Sequence, residues 1–192
     1  MGVEDSKERI LEATIKVFNK KGLKFTMDDI ATELSISKKT IYKVFKDKET
    51  MFYDMVDYCF DAIKESEAAV VEDTTISTVE KVRRILSVLP EGYKSIDFRQ
   101  LYELKAKYPK TYLRVEERLE SGWENTIALI KQGIEEGEIR PVNVSILKTM
   151  IEATVEQFFQ RDVLIVNEIT YTDALEELVN IIVDGIGIER IS

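Results

Sequence analysis

Apolar residues recur along this chain at three- and four-residue intervals, the period of an amphipathic helix, with no convincing strand alternation. Ile10, Ala13, Val17 and Phe18 share one face of a first helix near 6–21, which Gly22 ends. Two short helices follow within 26–48, and Asp47 is placed to cap a long helix over about 48–70. Residues 72–78, EDTTIST, form a turn cluster. Further helices are predicted over 78–89, ended by Pro90-Glu91-Gly92, and over 95–107, ended before Pro109. One helix is predicted over 110–136, then a loop bracketed by Gly137 and Pro141. Two strongly apolar helices at 143–165 and 171–186 complete the chain. The pattern is all-α, without an internal repeat.

The segment from Thr26 to Lys48 carries the most information. Thr26 caps a helix, with Asp29 three residues later completing a capping box. Ile30, Ala31 and Leu34 form its inner face, and small Ala31 suits a steep helix crossing. Ser35-Ile36-Ser37 breaks the period: Ile36 turns inward and Ser37 is placed to cap the next helix. There Ile41, Val44 and Phe45 face in, leaving Lys38, Lys39, Thr40, Tyr42, Lys43 and Lys46 outside. An outer face of cations, hydroxyls and one phenol suits a phosphate-lined groove, so the pair reads as a helix-turn-helix. The plainer reading, a helical hairpin with a solvated basic face, accounts less well for the turn and both caps. Ser35 stands where such turns often carry Gly at positive φ, at a cost of about 1 kcal/mol.

Residues 8–52 resemble the DNA-binding domain of the tetracycline-repressor (TetR) family of bacterial transcription regulators. The matching elements are the first helix ending in Phe18 and Gly22, Thr26, Ile30-Ala31, Ser37-Lys38-Lys39-Thr40-Ile41-Tyr42, Phe45 and Lys48. The resemblance implies a head at 1–47, a helical regulatory body at 48–192, and a dimer that binds a palindromic operator in double-stranded DNA as a repressor. On this reading Lys38, Lys39 and Thr40 meet base edges, while Tyr42 and Lys48 meet backbone phosphates. Thr26, Ser37, Lys43 and Lys46 complete the DNA-facing set. An alternative function is a DNA-binding module whose body serves protein interaction or assembly without a small-molecule ligand.

Charge first seems to oppose this reading, because the 192 residues carry a net −9. Its distribution reverses the inference. Residues 1–50 hold 11 basic and 9 acidic side chains, a net +2, which leaves −11 for the remainder. A basic spot on an acidic body makes an oriented DNA binder. No apolar run is long enough to span a membrane, and the opening MGVEDSKERI is too polar for a secretion signal. Cys59 is the single cysteine, which suits a reducing cytoplasm, and its apolar helical setting marks it as packing.

Other chemistry is thinly represented. With no His, no Gly-rich phosphate loop and no metal-ligand spacing, an enzyme, a metal site and a cofactor are not expected. Glu116, Glu117 and Glu120 interleave with Arg114 and Arg118, the mark of a salt-bridged face and not of a catalytic carboxylate pair.

The two final helices predict an oligomer. Ile146, Leu147, Met150, Ile151, Thr154, Val155, Phe158 and Phe159 cover more than half of one helix's circumference. In the family pattern the last two helices of each subunit form a four-helix bundle across a two-fold axis. Ile151, Val155, Phe158, Phe159, Leu178 and Ile182 are the expected interface of a homodimer.

An effector pocket is expected between the long helix and that bundle. Phe98, Leu101 and Tyr102 share a helical face, and Tyr112, Trp123 and Ile127 follow. Aromatics at helical spacing are usually core, yet apolar pockets with a few phenols also bind small molecules. The resemblance implies an inducer cavity here, for an unknown apolar or aromatic effector.

Overall fold

The computed structural model describes residues 3–90, 93 and 103–188; the side chains of residues 3, 4, 159 and 160 fall outside that description. Eleven helices make up the described chain. The head contains α1 (Val3–Lys21), α2 (Met27–Leu34) and α3 (Lys38–Tyr42), with a 3-10 turn at Gly22–Lys24. Helix α4 (Lys48–Glu72) leads into the body, which contains α5 (Thr78–Ser87), α6 (Leu104–Lys107), α7 (Pro109–Glu120) and α8 (Glu124–Glu135). The chain closes with α9 (Val144–Gln160), α10 (Val163–Val166) and α11 (Tyr171–Ile186). The protein is therefore all-α, a helix-turn-helix head followed by a larger helical body. One isolated antiparallel bridge, Ile139 to Gly187, is the only extended pairing among the described residues.

Local chemistry sets most helix starts. Thr26, Ser37, Asp47, Ser77, Asn143 and Thr170 each accept a backbone N–H three residues on, satisfying donors that a helix start leaves unpaired. The head core is built on three phenylalanines. Phe18 meets Phe25 and Phe52 at 6.4 and 5.6 Å, and Phe25 meets Phe52 edge-on at 5.9 Å. Phe52 belongs to α4, and its ring meets Tyr108, at the start of α7, at 5.5 Å. The head thus packs directly on the body through one aromatic side chain.

In the body, α4 packs along α7, and α5 lies between α8 and α11. Arg83 of α5 donates to Asn180 and Asp184 of α11, both at 2.6 Å. The interleaved charges of α7 do more than face water: Arg114 bonds Asp57 at 2.8 Å and Arg118 bonds Asp61 at 2.6 Å, tying α7 to α4.

Two predicted helices are each two. The stretch 110–136 breaks at Ser121–Trp123, where Gly122 adopts φ +77, a conformation that glycine takes at little cost. The stretch 143–165 breaks after Gln160, and α10 sets off in a new direction before the turn at Glu168, whose φ is 55. Apolar periodicity runs through both breaks, so period alone did not disclose them. Of the helix expected at 95–107 only residues 103–107 are described, and Leu104–Lys107 of these form α6.

Candidate nucleic-acid interface and effector cavity

The turn between α2 and α3 closes as its sequence requires. Thr26 Oγ1 accepts from the Asp29 N–H at 3.2 Å, and the Asp29 carboxylate accepts from the Thr26 N–H at 2.9 Å. The Lys21 ammonium, 2.6 Å away, is the largest influence holding the Asp29 carboxyl down to about 2. Ser35 sits at φ 55, ψ 40, and the Ile36 N–H reaches back to the Ala31 carbonyl at 3.0 Å. That bond is a Schellman-type closure, made here by serine in place of glycine.

Ser37 Oγ accepts from the Thr40 N–H at 3.1 Å and lies 2.9 Å from the Thr40 hydroxyl, which fixes the first turn of α3. Ile41 and Phe45 are wholly buried beneath it. Lys38, Lys39, Thr40, Tyr42, Lys43 and Lys46 all project outward, forming one basic and hydroxylated face. Lys38 is salt-bridged to Asp28 at 2.6 Å; Lys39, Lys43 and Lys46 form no salt bridge among the described residues. The exposed Thr26 hydroxyl is engaged within its own cap, where it also donates to Asp29 at 2.9 Å.

Lys48 departs from expectation. A phosphate contact needs a free ammonium, but this one is half-buried and donates to the carbonyls of Leu23 and Phe25 at 2.9 and 2.5 Å. It ties the start of α4 to the end of the 3-10 turn. One cation thus serves two carbonyls at the end of that turn.

In the body, α4, α5, the α7–α8 corner, α9 and α11 enclose a cavity of about 170 Å³. Phe60, Ile85, Trp123, Ile151 and Leu175 supply one wall each. Cys59 also lines it, and burial pushes its thiol up to about 12, so it is an unreactive packing group. Among the polar groups of this lining, one cluster is tightly paired. Lys64 Nζ lies 2.9 and 2.7 Å from the two oxygens of Glu67 and 2.6 Å from the Gly122 carbonyl. Glu67 is buried, and desolvation raises its carboxyl above the usual carboxylate range against the opposing pull of Lys64.

Among the expected effector residues, Trp123 lines this cavity. Tyr112 is buried elsewhere, with the Lys105 ammonium 5.0 Å from its ring centroid, and Ile127 is half-buried off the lining. Phe98, Leu101 and Tyr102 lie outside the described residues. Sequence reasoning passed over Lys64 and Glu67. A signal was present: Phe60, Ile63, Lys64 and Glu67 fall at i, i+3, i+4 and i+7, so two ionisable residues continue an apolar stripe.

The expected interface set also needs correction. Ile151, Val155 and Ile182 are buried within their own subunit, the first two against the cavity. Phe158 is half-buried with its ring edge-on to Tyr171 at 6.2 Å, and Leu178 packs on the core. The side chain of Phe159 is outside the description. Among the described residues, the large apolar side chains left in solvent on α9 and α11 are Ile146, Met150 and Ile181, at 59, 53 and 64% exposure, and they border one groove.

A family model described as bacterial regulatory proteins, tetR family, matches residues 10–55. Over nearly the whole length, the chain is 26% identical to the uncharacterized HTH-type transcriptional regulator YvaF of Bacillus subtilis, covering 93% of this chain and 94% of that one. Solved structures share the fold. A chain from Saccharomonospora viridis in complex with choline superposes with a TM-score of 0.74 at 18% identity, covering 97% of this chain and 100% of that one. FadR from Bacillus subtilis in complex with stearoyl-CoA gives 0.63 at 18% identity, covering 93 and 98%. Among the described residues no helix is long and apolar enough to cross a membrane, and no cluster of three metal-ligating side chains occurs.

Proposed function

We propose that this chain, which belongs to the tetR family of bacterial regulatory proteins and is a DNA-binding transcriptional regulator, acts as a ligand-responsive repressor. Two subunits join through the outward faces of α9 and α11, around Ile146, Met150 and Ile181. Each presents α3 to the major groove of one half of a palindromic operator, with Lys39, Thr40 and Lys43 foremost. Bound in this way the dimer excludes polymerase, and a small molecule in the body releases it.

One observation carries the reading. Helix α4 furnishes the head core with Met51 and Phe52 at its start, and lines the cavity with Phe60, Ile63, Lys64 and Glu67 further along. An occupant that alters the fit of α4 therefore acts on the element that seats α3. The occupant needs only a difference in affinity between the two arrangements to shift the equilibrium. Choline and stearoyl-CoA in two structural neighbours support a small-molecule effector of some kind. The cavity also favours this reading over a body that serves assembly alone.

The test is selection of duplexes from a random pool by the purified protein, followed by binding assays on the enriched sequence. Two half-sites with two-fold symmetry, about one helical turn or a multiple apart, are expected. Enrichment of an asymmetric single site would overturn the dimeric repressor.

A further inference from the structure

We infer that the effector cavity is built for a compact, neutral, mainly apolar molecule that presents a hydrogen-bond donor to the Glu67 carboxylate. This rests on the ligand-responsive reading above and names the chemical class of the ligand. Size is the first constraint. A cavity of about 170 Å³ is comparable to the roughly 150 Å³ apolar cavity that holds one benzene, so a single ring or its equivalent fits.

Polar capacity is the second constraint. An ammonium has three hydrogens, and Lys64 has three acceptors around it: two Glu67 oxygens and the Gly122 carbonyl. Lys64 is thereby committed to groups of the protein itself. Each Glu67 oxygen keeps acceptor capacity beyond its bond to Lys64. A ligand hydroxyl or amide N–H finds a partner there, whereas a ligand carboxylate meets a buried like charge, and the Arg118 guanidinium on the same lining is already paired with Asp57 and Asp61.

Charge is the third constraint. Cations already occupy two of the cavity's aromatic rings: the Arg118 guanidinium lies 5.5 Å from the Phe60 centroid, and the Lys148 ammonium 5.8 Å from that of Trp123. A cationic ligand would enter beside the like charges of Lys64 and Arg118. Neutral donors avoid both penalties.

Trp123 supplies the readout, since it lines the cavity and is the chain's only tryptophan. Three non-absorbing probes of one ring each, cyclohexanol, cyclohexanecarboxylate and cyclohexylammonium, are titrated into the full-length protein while Trp123 emission is followed. Cyclohexanol should give a saturable change, with the two charged probes at least about tenfold weaker because the anion meets the Glu67 charge and the cation those of Lys64 and Arg118. Glu67→Gln, checked for native helicity by circular dichroism, should reverse the preference. It leaves Lys64 without its counter-ion, so the carboxylate probe should gain about tenfold or more.

Equal or tighter binding of either charged probe to the native chain would overturn the inference, as would no response to cyclohexanol. An unchanged carboxylate affinity in a folded Glu67→Gln would do the same. DNA release is scored separately. Release by the carboxylate would overturn the donor assignment and leave the repressor standing; saturable cyclohexanol binding without release would uphold the donor assignment and remove the repressor.

Discussion

Lys48 and Phe25 are joined twice: the Lys48 ammonium donates to the Phe25 carbonyl at 2.5 Å and stands 3.9 Å from the centroid of the Phe25 ring. The same ammonium lies 5.4 Å from the ring of Tyr108, so one side chain touches head and body. This arrangement is a structural fastening and not a free cation awaiting phosphate.

Lys48→Ala should therefore act through stability. Losing charge-assisted bonds to two carbonyls costs about 1–3 kcal/mol, which thermal or urea unfolding would register. The slope of log affinity against log salt should stay unchanged in the folded fraction. A slope reduced by about one unit would return Lys48 to the phosphate contacts.

Lys38 and Lys39 are neighbours in sequence but differ in circumstance. Lys38 already holds Asp28, which partly neutralises it before DNA arrives. Lys39→Ala should lose about 1–3 kcal/mol on the selected operator and much less on random duplex. Lys38→Ala should lose less on both. Equal losses for Lys39→Ala on the two DNAs would make it a phosphate contact only.

The proposed interface gives contrasting variants. Ile181→Glu places a charge on an exposed apolar face, so the chain should stay helical but sediment as a monomer and lose operator binding. Ile151→Glu buries an unpaired carboxylate against the cavity and should unfold the body. Should Ile181→Glu remain dimeric by analytical ultracentrifugation and still bind DNA, the two-fold contact lies elsewhere.

Acid should loosen the head in a defined window. The Asp29 carboxyl is held at about 2, below its ordinary 3.8, first by Lys21 and then by Thr26. A depressed carboxyl contributes stability above its unfolded value and loses it as pH falls toward the folded one. Wild-type head helicity should therefore decline additionally between pH 3.8 and about 2, and Asp29→Asn should abolish that component. An identical acid limb in both proteins would count against it.

What could be read from sequence was mostly local. The caps at Thr26, Ser37 and Asp47 and the positive φ of Ser35 follow from groups three or four residues apart, and all appear in the structure. Lys48 was misplaced because its acceptors arrive from 23 and 25 residues upstream, a distance over which no spacing rule operates. Ile151 and Ile181 are equally apolar and both helical. Only the packing of α5, α9 and α11 decides which of them meets solvent. Gly122 went unread inside the helix predicted over 110–136, and the Lys64 bond that fixes the corner spans 58 residues.

Helix α4 runs 25 residues without a break, about 37 Å at the usual rise per residue. A rod of that length works as a lever. Tilting it by about five degrees at Glu67, about 28 Å from Lys48, displaces the far end by roughly 2.5 Å, most of the 3.4 Å step from one base pair to the next. In a two-headed reader the displacements of the two subunits add. An adjustment at Glu67 smaller than the width of one atom is thereby enlarged to the scale on which DNA itself is ruled.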